Sequence, residues 1–143
     1  MSARLRPGIT REDFDRRSAG HLPGWYGMQV AEVAPGRLVL TMDIEPQMLA
    51  PNGFLHAAAI VALADTAAGY STIAHLPEGA ENFTTIELKT NFFATQKAGR
   101  LTCTTNAIHA GRNTQVWDAE VTGEGGRRLA LFRCTQMVLW PKT

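Results

Sequence analysis

Along most of the chain apolar and polar residues alternate with the period of two expected of half-buried strands, and one stretch breaks that rhythm. Residues 52–76 carry apolar side chains on nearly every side of a helical wheel, with Ala57, Ala58, Ala59, Ala62, Ala64, Ala67 and Ala68 supplying helix propensity without bulk. This predicts one long helix buried on almost all sides, begun by the turn signal Pro51-Asn52-Gly53. Before it, Thr10 and Asp13 resemble a capping box and predict a short helix over 11–18, packed outside the core and stopped by Gly20. Residues 25–33 read as a strand ending at Pro35-Gly36, and 37–45 alternate with Leu38, Leu40, Met42 and Ile44 on one face. After the break at Pro77-Glu78-Gly79, residues 84–93 place Ile86, Leu88 and Phe92 inward against Glu87, Lys89 and Asn91. Strands at 100–109, 114–122 and 128–140 follow, parted by the hairpin signals at 111–113 and 123–126.

Short turns between consecutive strands imply antiparallel pairing, so the predicted fold is α+β: an antiparallel β-sheet wrapped around one long central helix, with a short N-terminal helix. No repeat or linker divides residues 1–143, which read as a single domain with residues 1–24 as an N-terminal extension. Six strands do not cover a helix of roughly 30 Å, and an open strand edge invites pairing. Self-association, as a homodimer or a tetramer of two dimers, is therefore expected.

Composition narrows the partners. With 45% hydrophobic residues among 143, the chain holds enough apolar side chains for a core. A net charge of +1, with Lys and Arg spread out, argues against a nucleic-acid surface. The first residues, Met1-Ser2-Ala3-Arg4, contain no apolar signal core, and the apolar run 54–64 is interrupted by His56 and too short for a bilayer, so a cytoplasmic location and no membrane partner are expected. Cys103 and Cys134 lack Cys-x-x-Cys spacing and read as small buried hydrophobes.

The same residues exclude several chemistries. Ser2, Ser18 and Ser71 lie at the terminus, in the first helix and deep in the central helix, without the turn that presents a nucleophilic serine. His21, His56, His75 and His109 lack metal-ligand spacing, and no glycine-rich phosphate loop is present, so no metal or organic cofactor is expected. What remains is Asp65, His56 and the start of the central helix. An unpaired carboxylate in an apolar helix costs several kcal/mol. Free N–H groups at a helix start suit a carbonyl oxygen that becomes anionic during acyl transfer. Yet His56 and Asp65 stand nine positions apart, about 13 Å of rise, on opposite faces, and one chain does not bring them together.

The stretch from Asn52 through Gly53, His56, Leu63, Ala64, Asp65, Thr66 and Ala67 resembles the helix motif of PaaI-type hotdog-fold acyl-CoA thioesterases, and the resemblance extends over about residues 25–140. It implies a homo-oligomer that hydrolyses acyl-CoA thioesters without a cofactor. By this resemblance Asp65 is the nucleophile or the general base, and the backbone N–H of Ala57 polarises the thioester carbonyl. His56, Asn52 and Gly53 shape the helix start or position substrate. The resemblance also implies a site between subunits, with Asp65 of one chain facing the His56 region of its partner, which answers the geometric objection. Thr85 aligns with a hydroxyl near the catalytic water, and Arg112, Asn113 and Thr114 with a turn that meets the coenzyme A nucleotide.

The chain departs from the family pattern in two places. Ala57-Ala58 replaces the usual Gly-Gly after the histidine, adding two methyl groups where a thioester approaches, and Ala50 stands where some relatives carry a polar side chain. Plainer readings accompany each residue: Asp65 as a structural carboxylate, His56 as a helix cap, Arg112 as a solvated turn residue, Thr85 as a strand former. Two other functions share the fold, a non-catalytic acyl-CoA binding module and a hydratase or dehydratase of enoyl or 3-hydroxyacyl thioesters. The acyl group, aromatic or fatty, is left open.

Overall fold

The computed structural model describes residues 3–143; Ser2, placed at the terminus by the sequence, lies outside them. In chain order the elements are α1 (Arg11–Ser18), α2 (Leu22–Trp25), β1 (Gln29–Ala34), β2 (Arg37–Asp43), α3 (Ala57–Ala74), β3 (Asn82–Phe92), β4 (Arg100–Ala110), β5 (Thr114–Thr122) and β6 (Arg128–Leu139). The strands form one six-stranded sheet in the order β1-β2-β4-β5-β6-β3, every neighbouring pair antiparallel. It wraps around α3, as the alternation predicted. The crossover that carries β3 to the far side of β6 leaves β1 and β3 as the two edges.

Alternation in β5 and β6 sends Trp117, Ala119, Val121, Phe132 and Cys134 inward against Leu63, Ala64, Ala67 and Ala68 of α3, all buried. Each large apolar side chain so covered contributes about 1.5–3 kcal/mol. Alanine on the helix lets the sheet approach closely. By length and hydropathy α3 could cross a membrane, but here it is the mostly buried core helix. Both cysteines are free and buried.

Four expectations change. The long helix begins at Ala57 rather than at residue 52, because residues 52–56 form a turn pinned by a bridge between Leu49 and Leu55. Residues 25–33 do not form one strand. Pro23 starts the short α2, which runs through Trp25, and Gly24 lies so close to the Ser18 carbonyl that a Cβ would stand 2.3 Å from it. The first helix is not merely external, since Phe14 is fully buried against Tyr70 with ring centroids 4.8 Å apart, and Ser18 bonds the Tyr70 hydroxyl at 2.6 Å. Its capping is as read: the Asp13 carboxylate accepts the Thr10 N–H at 2.7 Å.

The fourth change concerns β3. Register against β6 puts Phe83, Thr85, Leu88, Thr90 and Phe92 on the helix-side face, but only Phe83 and Thr90 are partly covered. Ile86, drawn inward by simple alternation, sits in a bulge between Thr85 and Glu87 and is 59% exposed. Leu88 and Phe92 face the helix side yet are exposed as well. An edge strand overhangs the helix, so its correct face has nothing beneath it in one chain.

Candidate active site

The loop before α3 is built to end abruptly. Asn52 Oδ1 accepts the Phe54 N–H at 3.2 Å, Gly53 adopts φ +86, and Ala50 and Phe54 bond through their backbones at 2.7 Å. The amide of Asn52 thus shapes its own turn. The His56 N–H then donates to the Met48 carbonyl at 2.9 Å, which fixes the first residue before the helix. His56 is the N-cap, with Nδ1 accepting the Ala58 N–H at 2.9 Å and its carbonyl accepting the Ala59 N–H at 2.9 Å. Among the described residues no acceptor meets the Ala57 N–H. That donor, flanked by the exposed methyl groups of Ala57 and Ala58, is the free positive end of an 18-residue helix.

Asp65 lies at the middle of α3, half-buried, with Oδ1 enclosed and without a hydrogen-bond partner. Burial pushes its pKa above the usual carboxylate value. It sits near Cys134 on β6, whose thiol is pushed up to about 12, mainly by burial and further by the Asp65 carboxylate. An ionisable oxygen kept buried and unpaired in an otherwise apolar helix is chemically poised rather than structurally satisfied.

Thr85 stands on β3 directly opposite Gln136 of β6 and is exposed at the open edge. The turn carrying Arg112, Asn113 and Thr114 lies at the C-terminal end of α3, since Gln115, the next residue, donates to the carbonyl of the helix C-cap His75 at 2.9 Å. There the Arg112 guanidinium covers the Trp140 ring at 4.3 Å, the Asn113 carbonyl accepts the Val138 N–H at 2.8 Å, and the Thr114 carbonyl accepts the Gly111 N–H at 2.9 Å. A single chain therefore distributes the candidates over separate places. Asn52, Gly53, His56 and Ala57 stand at the helix start, Asp65 at its middle, and Arg112, Asn113 and Thr114 at its end, with Thr85 apart on the β3 edge. Two shallow hollows, one of about 270 Å³ beside Ser18 and Gly24, lie along α1 and do not touch Asp65.

Sequence reasoning missed Gln136. It is wholly buried, and neither its Nε2 nor its Oε1 has a partner. The signal was present: an amide in the inward register Phe132, Cys134, Gln136, Val138, where every neighbour is apolar or sulfur-bearing. Among the described residues no group of three or more His, Cys, Asp or Glu side chains stands together as a metal site would require.

Comparison with known proteins points one way. The family model described as the thioesterase superfamily matches residues 52–130. The 1,4-dihydroxy-2-naphthoyl-CoA hydrolase of Listeria monocytogenes is 33% identical over 109 residues, covering 76% of this chain and 88% of that protein. The acyl-coenzyme A thioesterase PaaI of Escherichia coli is 30% identical over 107 residues, covering 75% and 74%. Among solved structures, a mutant thioesterase from Pseudomonas aeruginosa matches the fold with a TM-score of 0.89 at 24% identity, over 94% of this chain and 97% of that one. The PaaI structure from Escherichia coli matches with a TM-score of 0.77 at 24% identity, over 89% and 90%.

Proposed function

The chain belongs to the thioesterase superfamily as a PaaI-type hotdog-fold member and is a thioester hydrolase, and from that premise we propose that it cleaves acyl-CoA thioesters to a free acid and coenzyme A at a site shared between two subunits. The single observation that carries this reading is the half-buried Asp65 carboxylate, its Oδ1 enclosed and unpartnered, in a helix that has no other charged residue. In this reading Asp65 acts on the thioester as general base or nucleophile, and the raised pKa that burial causes brings a carboxylate closer to the range useful for proton transfer. The free N–H of Ala57 from the partner polarises the carbonyl oxygen, a donor of the kind worth about 3–4 kcal/mol in a transition state. Its neighbour Ala58 is unavailable, because His56 already holds that N–H.

Support for the shared site comes from the separation of the helix start from Asp65 along one continuous helix, and from the uncovered helix-side face of β3. In this reading Thr85, exposed at that edge, helps to hold the reacting group. Arg112, Asn113 and Thr114 form the proposed contact for the coenzyme A nucleotide, with Arg112 held over Trp140. The relatives named for coenzyme A thioesters support the substrate class, and the two free, buried thiols suit a reducing compartment.

The test is thiol release from a panel of phenylacetyl, hydroxybenzoyl, and short, medium and long straight-chain acyl-CoAs, with wild type and Asp65→Asn side by side. Turnover that falls by at least about a hundredfold in the variant is expected. Unchanged turnover removes Asp65 from the mechanism, and binding of acyl-CoA without turnover by the wild type turns the reading to a binding module.

A further inference from the structure

Two glutamines face each other across β5 and β6 in the same register, Gln115 opposite Gln136, and both are fully buried on the helix side of the sheet. Gln115 is satisfied at both ends: Nε2 donates to the His75 carbonyl at 2.9 Å and Oε1 accepts the Trp117 Nε1–H at 2.8 Å. The fold can therefore accommodate a structural glutamine at this depth. Gln136 receives no such treatment, and leaving both of its amide atoms unpaired in the protein costs about 1–3 kcal/mol per group. An apolar residue would fill the position without that penalty.

Its neighbours locate what the amide serves. Cys134, two positions before Gln136 on the same face, lies near Asp65; Phe83, opposite Val138 two positions after, presses on Gly69, where an added Cβ would stand 3.2 Å from the ring. Gln136 thus sits between Cys134, on the Asp65 side, and Val138, which packs with Leu76 and Ala80 just past the end of α3. Thr85, opposite it on β3, opens this line of residues to the sheet edge. Among the described residues the enclosed side-chain polar atoms without partners are Asp65 Oδ1, both amide atoms of Gln136, Thr90 Oγ1 and Trp140 Nε1. Thr90 stands opposite Phe132 and Trp140 lies beyond Val138, so Asp65 and Gln136 are the pair flanking Cys134, within the two to four contacts a held water requires.

Resting on the hydrolytic reading above, we propose that Gln136 and Asp65 together hold the water that attacks the thioester carbonyl. Gln136 Oε1 accepts the proton that the water keeps, and Asp65 accepts the one that it gives up, leaving the oxygen lone pair for the carbonyl carbon. As the new C–O bond forms, that proton moves to Asp65; as the C–S bond breaks, the sulfur leaves with the bonding pair and takes the proton, giving acid and thiol. Gln136 is absent from substrate binding, so its removal affects the step and not the affinity.

The decisive experiment combines kinetics with crystallography. Gln136→Met, close in volume and without donor or acceptor, is expected to lower kcat at least about tenfold with KM within about twofold, and to add less than about twofold when placed on Asp65→Asn, because both residues act on one water. Gln136→Leu repeats the test should the Met variant lose its thermal transition. An equal loss on both backgrounds, or a full kcat in a folded variant, overturns the proposal. A crystal structure of the unmodified protein is expected to show an ordered water within hydrogen-bond distance of both Asp65 and Gln136; a Gln136 amide bonded instead to protein atoms, with no water there, overturns it without any variant. Wild type that cleaves no thioester sinks the hydrolytic reading itself, whereas turnover insensitive to Gln136→Met sinks this inference alone.

Discussion

The Nδ1 atom of His56 accepts the backbone N–H of Ala58 at 2.9 Å, so the imidazole caps its own helix and leaves Ala57 with the free donor. Both readings of His56 are then compatible, since fixing the helix start also fixes where the free N–H points.

His56→Ala removes that cap and is expected to lower stability by about 1 kcal/mol, with turnover falling about tenfold as the donor loses its exact placement. Mixed with Asp65→Asn and allowed to exchange subunits, it tests the shared site. Each mixed dimer pairs one intact Asp65 with one intact His56 across the interface, so random exchange restores about a quarter of the wild-type sites. Exchange shown by mass spectrometry without recovery of thiol release places the whole site in one chain.

Asp65→Asn carries a second expectation. Burial raises the folded-state pKa of Asp65 above its unfolded value, so the protonated form favours folding. That contribution is complete below the unfolded-chain value of 3.8 and is lost as pH rises through the folded pKa, where ionisation leaves a half-buried unpaired charge. The amide variant escapes this loss. Its melting temperature at pH 7 should exceed that of wild type by roughly 2–4 °C, the equivalent of about 1 kcal/mol in a domain of this size, with the gap closing near pH 4. A lower melting temperature would mean that the carboxylate holds structure together.

The exposed helix-side face of β3 predicts where two chains meet. Leu88 is 42% exposed and Ile86 59% exposed on an edge strand with a free row of backbone groups. The double substitution Ile86→Lys and Leu88→Lys places like charges at that edge and is expected to shift the protein to monomers in light scattering, with loss of thioester cleavage in parallel. An unchanged oligomer would remove β3 from the interface, and monomers that remain fully active would place the whole site in one chain.

Much of this was legible in the residues, and the exceptions share a cause. Period-two patterning located β5 and β6 because each is covered on one face by α3, and the hairpin glycines bounded them. The same pattern set Leu88 and Phe92 on the inward face of β3 but drew Ile86 inward across a bulge, and it could not show that the face lies over nothing, because alternation reports direction and not cover. Asp65 stood out as the one charge in an apolar helix. Gln136 did not, because an amide at an inward strand position looks like Gln115 until the partners are counted. The start of α3 was misplaced by five residues, since apolar residues 54 and 55 continue the helical pattern while the Leu49 to Leu55 bridge holds them extended.

His75 gives the fold a dependence on pH that is separate from catalysis. Its Nδ1–H donates to the Ser71 carbonyl at 2.7 Å and its Nε2 accepts the Gly36 N–H at 2.9 Å, which uses both ring nitrogens of the neutral form. The ring also packs on Trp117 with centroids 4.9 Å apart. Protonation would turn Nε2 into a donor facing a donor. Burial pushes the pKa down, more than the backbone hydrogen bonds pull it back. With a folded pKa below the unfolded value of 6.5, the contribution of His75 is complete above that pH. It is lost as pH falls from there to the folded pKa, because the unfolded chain takes up a proton that the folded chain refuses, at no more than about 1.4 kcal/mol per pH unit. Thermal melts from pH 7.5 to pH 5 should therefore decline in wild type and decline less steeply in His75→Gln, which keeps an acceptor for Gly36 but does not titrate. Equal slopes in the two proteins would assign the acid sensitivity to other groups and leave His75 as a packing residue alone.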